Sequence, residues 1–258
     1  MDDFRIGICA KPGDVARAAR TGYDYIELDL NDVLAMGEDA YRAMAVEMRE
    51  NNLYAEVTSG MLPAGVPIVG PEVSAKQLHA ALDRSFDAAQ ALGAEIVVFD
   101  CEVSRKLPPR FDPAMAWRQM GNFIRILQSY AVNFDLKVAL LPLRRSAVDL
   151  MNYASEAAMI SAMLQLDRVG VAASSYNMAM EAESLPQLRR VGSLLWHMRT
   201  SNVLGNLPPK SGDGEDYRRL FAALREMGYA GRVSCEASCK DFDSDAAEAL
   251  RCLREAQK

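Results

Sequence analysis

The chain has 258 residues, of which 50% are hydrophobic and 25% charged, so it can bury a sizeable core. This length is typical of one eight-stranded α/β barrel. Lys and Arg total 29 against 35 Asp and Glu, and the resulting net charge of −6 argues against nucleic-acid binding. The apolar run after Arg5 is too short for a signal peptide or a membrane span. We therefore expect a cytoplasmic protein without membrane contact.

The cysteines are odd in number, widely scattered and without a CxxC pair. They are Cys9, Cys101, Cys235, Cys239 and Cys252. This pattern favours reduced thiols that pack as small hydrophobic side chains over a disulfide framework. A zinc site at Cys235 and Cys239 would need further well-placed ligands, and we do not expect one.

Short β-rich runs alternate with longer segments of helical periodicity, and this unit occurs eight times. The predicted strands are Phe4–Cys9, Tyr25–Leu30, Leu53–Thr58, Glu95–Asp100, Leu136–Leu141, Val169–Ser174, Leu194–Arg199 and Arg232–Glu236. Several are almost continuously apolar, which is typical of parallel strands covered on both faces. The pattern predicts an α/β protein with a single domain over residues 1–258, a (β/α)8 TIM barrel.

Helix boundaries are marked by residues that favour caps. Asp14, Ser74 and Ser146 are predicted N-caps of the first, third and fifth helices, because their side chains can accept hydrogen bonds from the first turn. Gly22 and Gly93 stand where C-caps belong. In the seventh helix an apolar stripe at 3.6-residue spacing is predicted to face the core. It consists of Tyr217, Leu220, Phe221, Leu224 and Met227.

Several predicted strand-to-helix links are long, whereas the helix-to-strand links are short. Ser59–Glu72, Glu102–Asp112 and Thr200–Gly214 follow the third, fourth and seventh strands. Because barrels of this kind build their sites from loops at the carboxyl ends of the strands, we predict that these three loops form the rim of the functional pocket.

Two motifs resemble the xylose isomerase-like superfamily, which includes ketose 3-epimerases, inosose dehydratases, hydroxypyruvate isomerase and endonuclease IV. The first is Thr21–Leu28, similar to "G-Y-D-x-I-E-L" at the entry to the second strand. The second runs from Gly214 to Glu236 and is similar to "G-x-G-x-x-D-Y…G-Y-x-G-x-x-x-x-E". The resemblance implies a barrel that isomerises or epimerises sugars or sugar phosphates.

The resemblance also implies a divalent cation, held by Glu, Asp, His and Glu after strands five to eight. Leu141, Ser174 and Arg199 occupy the first three of these positions, and only Glu236 matches. Asn177 stands where relatives place a substrate-contacting His. Leu141 offers no donor atom and Arg199 would repel a cation, so we expect no metal and no other cofactor.

Arg199 offers an alternative to the metal. Its guanidinium could occupy the metal's volume, neutralise Glu236 and hold an anionic or polyhydroxylated ligand by charge-assisted hydrogen bonds. This hypothesis requires the guanidinium to lie close to Glu236.

Candidate site residues follow from position and chemistry. Glu236 and His197 are the predicted catalytic acid–base groups. The predicted substrate-binding residues are Glu27, Asp100, Arg105, Arg144, Asn177, Arg199 and Asn202. For each, a structural alternative stays open: a buried hydrogen-bond network, a core histidine, an ion pair or a solvated charge at the rim.

Two functions stay open. The first is an isomerase or epimerase that transfers a proton next to a carbonyl group without the usual metal, with Arg199 stabilising the enediolate. The second is a non-catalytic barrel that binds a sugar-like or anionic ligand or a protein partner. A polar pocket would favour a ligand, and a pocket filled by Leu141 and methionines would favour a partner. Relatives are often dimers, so a homodimer is possible.

Overall fold

The strands form a closed parallel barrel in the order β1 to β8, as a computed structural model of residues 4–237 and 239–258 shows. The predicted TIM barrel is confirmed. The strands are β1 Arg5–Ala10, β2 Tyr25–Asp29, β3 Val57–Ser59, β4 Ile96–Phe99, β5 Lys137–Leu140, β6 Val169–Ser174, β7 Leu195–Thr200 and β8 Arg232–Cys235. Each strand pairs in parallel with the next, and β8 pairs with β1.

Helices surround the barrel and follow the strands in alternation. They are α1 Val15–Thr21, α2 Leu30–Ala35, α3 Glu38–Glu50, α4 Ala75–Leu92, α5 Pro113–Asn133, α6 Ala154–Met163, α7 Ser175–Met180, α8 Leu185–Leu188, α9 Tyr217–Glu226 and α10 Phe242–Ala256. Short 3-10 turns cover residues 12–14, 103–105 and 189–194. Across the described ranges, no helix combines the length and apolarity needed to cross a membrane.

The predicted strands agree with the observed ones to within about two residues, except at the third. Leu53–Thr58 was expected, but ladder pairing begins only at Val57. The carbonyl of Tyr54 accepts a hydrogen bond from the Ile26 N–H at 3.0 Å, so the preceding segment already runs alongside β2.

Four of the five predicted caps lie where they were expected. Ser74 accepts a hydrogen bond from the Gln77 N–H at 3.4 Å, and Gly22 and Gly93 adopt the left-handed conformation with φ of 91° and 80°. Asp14 is the N-cap of α1, but its carboxylate binds Arg17 rather than the backbone.

The prediction that Ser146 begins the fifth helix is wrong. Residues 141–153 form a loop, and α6 begins at Ala154. Glu156 secures that start, since its carboxylate accepts hydrogen bonds from the N–H groups of Asn152 and Tyr153. Val148, just after Ser146, is buried inside the barrel, and this packing replaces an extra helical turn.

The main core lies between the barrel wall and the helices. The predicted stripe of α9 contributes Tyr217, Leu220, Phe221 and Leu224, which are all buried, while Met227 is partly buried against them. Amphipathic helices therefore cover the outer face of the barrel, and polar functional groups are expected at the ends of the strands.

A second apolar cluster fills one side of the barrel interior. Its members are Tyr25, Val57, Ile96, Val98, Ala139, Leu141, Leu143, Ala147, Val148 and Ala172. They come from β2 to β6 and from the loop after β5. This apolar plug closes the interior on the β4–β6 side and leaves the β7, β8, β1 and β2 side to polar residues.

Candidate functional site

Arg199 lies at the centre of a polar cluster at the carboxyl end of the barrel. Its Nε lies 2.9 Å from Glu27 Oε1, its Nη2 lies 2.9 Å from Asp100 Oδ2, and its Nη1 lies 3.1 Å from Glu236 Oε1. The side chain is almost fully buried, with 5% of the residue exposed. The contact that the Arg199 hypothesis requires is therefore present, and two further carboxylates complete it.

The electrostatics of this cluster are mutually stabilising. Burial alone would lower the pKa of Arg199, but Glu27 and Asp100 raise it well above its usual value. Burial would raise the pKa of Glu27, and Arg199 and His197 instead hold it well below its usual range. Glu27 and Arg199 are thus both charged at neutral pH, and Asp100 and Glu236 lie against the same guanidinium.

Residues behind this cluster hold it in place. His197 Nε2 lies 2.9 Å from Glu27 Oε2, so both oxygens of Glu27 are engaged. Ser174, at the end of β6, donates to Glu236 Oε2 at 2.5 Å. His197 is fully buried and does not line the cavity described next. In this structure His197 contacts Glu27 and does not reach the cavity, so its acid–base role stays a prediction.

A cavity of about 630 Å³ opens beside the cluster. Its floor is formed by Cys9, Glu27, Asp29, Ser59, Arg199 and Glu236. Its walls come from the loop after β1, with Lys11 and Asp14, and from the loop after β8, with Lys240 and Asp241. Charged and hydroxyl groups converge here from β2, β3, β7 and β8, as in a site for a polar ligand.

The prediction that three long loops form the rim of the pocket is largely wrong for this cavity. Of the three long loops, only Ser59 lines it. The loops after β3 and β4 pack on each other instead, and the Ile68 N–H donates to the Ser104 carbonyl at 2.8 Å. The loop Thr200–Gly214 borders a separate, mostly apolar cavity of about 200 Å³ through its first residues.

Two predicted substrate-binding residues have structural partners in place of a ligand. Asn177 accepts a hydrogen bond from the Arg144 N–H at 3.2 Å, and its own N–H donates to Ser174. Arg144 lies over the ring of Tyr176, 5.5 Å from its centroid. Neither lines the large cavity. Together they connect the loop after β5 to α7.

Asn202 shapes its own loop. Its amide donates to the Asp213 carbonyl at 3.1 Å, and its side-chain oxygen accepts from the Leu204 N–H at 2.8 Å. This residue therefore ties the two ends of the loop after β7 together and lies outside the large cavity.

Arg105 was predicted at the rim and is fully buried. Its Nη2 donates to the Leu141 carbonyl at 2.9 Å, and its guanidinium lies 5.0 Å from the centroid of Phe99. Burial lowers its pKa to about 10. The side chain connects the loop after β4 to the end of β5, where the apolar plug excludes a ligand.

The residues present do not fit the divalent cation that the family resemblance implies. Leu141 is fully buried in the apolar plug, and Arg199 occupies the space between Glu27, Asp100 and Glu236. Within residues 4–237 and 239–258, no group of three or more His, Cys, Asp or Glu side chains is arranged to hold a metal ion. A cation in this position would face the guanidinium directly.

Two residues of the cavity floor, Asp29 and Cys9, are not among the predicted site residues. Asp29 alternates with Glu27 along β2, and this spacing indicates a shared face. Cys9 was interpreted as a packing residue, and it lines the cavity floor together with Glu236, which directly follows the adjacent strand β8. Burial, together with Glu27, raises its thiol pKa, so Cys9 is protonated at neutral pH.

The family profile of the xylose isomerase-like TIM barrel matches residues 15–256. The chain belongs to this family. Among solved structures, this xylose isomerase-like barrel is similar to a D-allulose 3-epimerase from Methylomonas sp., with 19% identity, a TM-score of 0.85 and coverage of 99% of this chain and 98% of that one.

Two further structures share the fold of this xylose isomerase-like barrel. A 3-keto-D-glucoside 4-epimerase from E. coli has 20% identity and a TM-score of 0.82, with 98% and 99% of the two chains covered. An AP endonuclease of family 2 from Brucella melitensis has 16% identity and a TM-score of 0.80, with 97% and 98% covered. The sequence matches no curated protein. At these identities the likeness shows the fold.

Proposed function

We propose that this barrel binds a sugar-like polyol in the Arg199 cavity and exchanges a proton next to its carbonyl group, as a divergent sugar isomerase or epimerase. The observation that carries the proposal is the convergence of Arg199 and Glu236 on one cavity, with Arg199 fixed by Glu27 and Asp100. Sugar epimerases among the structures of the same fold suggest the class of ligand.

Arg199 has one N–H group to offer a ligand. Its guanidinium carries five N–H groups. The Nε donates once, Nη2 twice and Nη1 once to carboxylates, so one N–H on Nη1 is without a partner among the described residues. Because Arg199 lines the cavity, this N–H can donate to a carbonyl oxygen and stabilise the negative charge of an enediolate.

Glu236 is the base in this proposal. It takes the proton from the carbon next to the carbonyl group, and the electron pair moves onto the carbonyl oxygen at Arg199. Return of the proton to the same carbon restores the ligand. For isomerisation, the hydroxyl proton on the carbon that lost its hydrogen moves to the former carbonyl oxygen, a carbonyl group forms at the oxygen that released it, and Glu236 returns its proton to the former carbonyl carbon. Leu141 stands where relatives carry a second carboxylate, so one base must both remove and return the proton. This arrangement favours isomerisation, since a single base works from one face of the ligand.

The charge of the cluster limits the ligand. Glu27, Asp100 and Glu236 outnumber the single guanidinium of Arg199. A phosphorylated or otherwise anionic ligand would meet an excess of negative charge here, so the proposal is restricted to ligands without a negative charge.

Binding without turnover is the second candidate, and one observation favours it. Both oxygens of Glu236 already accept hydrogen bonds, from Arg199 and from Ser174. Each oxygen keeps a second lone pair, but both donors stabilise the carboxylate and so oppose the transfer of a proton to it. Without that transfer, the same cavity binds a polyol and leaves it unchanged.

The test follows deuterium exchange by proton NMR. The protein is incubated in D₂O with a panel of neutral aldoses and ketoses, with and without EDTA, and binding is measured in parallel by ligand-observed NMR. We expect deuterium next to the carbonyl group, unchanged by EDTA, lost in Glu236→Gln and kept in Glu72→Gln, an exposed control. Binding without exchange would favour the second candidate. Neither binding nor exchange would contradict both.

A further inference from the structure

The floor of the Arg199 cavity carries a fourth carboxylate that Arg199 does not neutralise. Asp29, the last residue of β2, lines the cavity, and no ion pair to it occurs in the part of the chain that the structure describes. Burial and the neighbouring Asp100 raise its pKa. A cation placed beside Asp29 would therefore favour its ionised form and relieve its repulsion from Asp100.

The backbone holds Asp29 in a defined orientation. Its Oδ1 accepts a hydrogen bond from the Asn31 N–H at 2.7 Å, which caps α2. Gly60 lies directly against the carboxylate, and a Cβ at this position would come within 2.2 Å of Oδ1. Gly60 also has a φ of +64°, which favours glycine. The close approach requires a residue without a side chain.

Ser59 is a second polar residue at the same edge. It is the direct register partner of Asp29 across the β2–β3 ladder and also lines the cavity. Only 7% of the residue is exposed, and its hydroxyl makes no hydrogen bond to any described residue, but the oxygen is not fully buried and faces the cavity. A hydroxyl in this position is free to form a hydrogen bond with a ligand group in the cavity.

We propose that Asp29 and Ser59 form a subsite for a primary ammonium group, so that the ligand of the cavity is an amino-substituted polyol. An ammonium group has three donors and no acceptor, which matches a carboxylate beside a hydroxyl oxygen. It would also offset the surplus charge of Asp29. Of the other cavity cations, Lys11 and Lys240 are exposed, where solvent screens them, and Arg17 is paired with Asp14 and Asp243.

The inference rests on the proposed function, because it uses the same cavity and the same polyol class. The test compares three ligands with one carbon chain and different charge: 1-amino-1-deoxysorbitol, sorbitol and gluconate. We expect the amino polyol to bind about tenfold more tightly than sorbitol, because a hydrogen-bonded charge pair in a half-buried site contributes on this scale. Gluconate should bind most weakly. Isothermal titration calorimetry at low and high salt measures each affinity.

The variant Asp29→Asn removes the charge and keeps the cap of α2, since Asn is as good an N-cap as Asp. We expect it to lose the preference for the amino polyol, so that the ratio of the affinities for the amino polyol and sorbitol falls to about one. Asp39→Asn is the matched control: it changes the net charge by the same amount at an exposed position and should keep the preference.

The possible failures are distinguishable. Equal affinity for sorbitol and the amino polyol would overturn the ammonium subsite and leave the proposed function standing. A preference that persists in Asp29→Asn, or that disappears in Asp39→Asn, would also overturn it, because general attraction to an acidic protein would then be the cause. No binding of any of the three ligands would contradict the proposed function together with the subsite.

Discussion

Arg199 and Glu27 form a two-point ion pair inside the barrel: Nε and Nη2 of Arg199 both donate to Oε1 of Glu27, at 2.9 and 2.5 Å. Both residues are almost fully buried, and His197 occupies the other oxygen of Glu27. Glu27 is therefore the anchor of the cluster, and Arg199 is oriented before any ligand arrives.

Glu27→Gln should destabilise the protein strongly, because it removes a negative charge that pairs with the buried guanidinium of Arg199. Removing one partner of a buried ion pair costs about 3–5 kcal/mol in the free energy of unfolding. Urea denaturation followed by circular dichroism measures this loss.

The control for Glu27 is Asp135→Asn. The Asp135 side chain is 85% exposed and pairs with Arg168 at the surface. Its loss should cost about 0–1 kcal/mol, the range of exposed pairs. If Glu27→Gln lost no more stability than this control, Glu27 would not be the anchor of the cluster.

A second prediction is that the apolar plug does not tolerate a carboxylate at position 141. Leu141→Glu places a carboxylate where relatives carry one, but here the side chain would be buried among apolar groups. We expect a loss of about 3 kcal/mol or more in the free energy of unfolding, whereas Leu141→Met should lose less than about 1.5 kcal/mol. Equal stability of the two variants, measured by urea denaturation, would show that the plug tolerates a carboxylate and can open.

Glu183 provides a prediction on pH dependence. Its carboxylate accepts a hydrogen bond from the Ala154 N–H at 3.0 Å, at the start of α6. Burial, together with Glu156 and Glu181, raises its pKa to about 7. The unfolded chain has a carboxyl pKa of about 4.3, so the folded state holds this proton more tightly, and the contribution of Glu183 to stability falls as pH rises from about 4 to 7.

Glu183→Gln should therefore stabilise the protein at pH 8. It should change stability little at pH 4, where the Glu183 carboxyl group is largely protonated in both the folded and the unfolded state. We expect a gain of about 1 kcal/mol at pH 8, after allowing for screening by solvent. Thermal and urea unfolding of both proteins at the two pH values measure the difference. A variant less stable than the parent at pH 8 would contradict this, because the ionised carboxylate at the start of α6 would then stabilise the fold by more than its burial costs.

The barrel could be predicted from the sequence because apolar runs alternate with helical stripes. This periodicity is a local property of the sequence and can be recognised without knowledge of tertiary contacts. The contact between Arg199 and Glu236 could also be expected, since both positions follow from strand ends that a barrel brings together. Arg105 could not be placed this way. A charged residue in a loop is normally expected at the rim of a pocket. Arg105 is instead buried, because it packs on Phe99 and donates to the Leu141 carbonyl.

The shape of the pocket depended on tertiary packing that no local pattern records. Ser146 has the chemistry of an N-cap, but Val148 packs into the barrel and the helix starts later. Loop length favoured the loops after β3, β4 and β7 as rims. Two of them pack on each other, and the shorter loop after β1 lines the cavity instead.

The metal content of the purified protein tests most directly whether Arg199 replaces the metal. The protein is incubated with Mn²⁺, Mg²⁺ and Zn²⁺, desalted and measured by mass spectrometry, in parallel with Glu236→Ala. We predict no stoichiometric metal in either protein, because Leu141 supplies no donor and Arg199 fills the site. One metal ion per chain that is lost in Glu236→Ala would contradict the claim and indicate an ordinary metal-dependent isomerase.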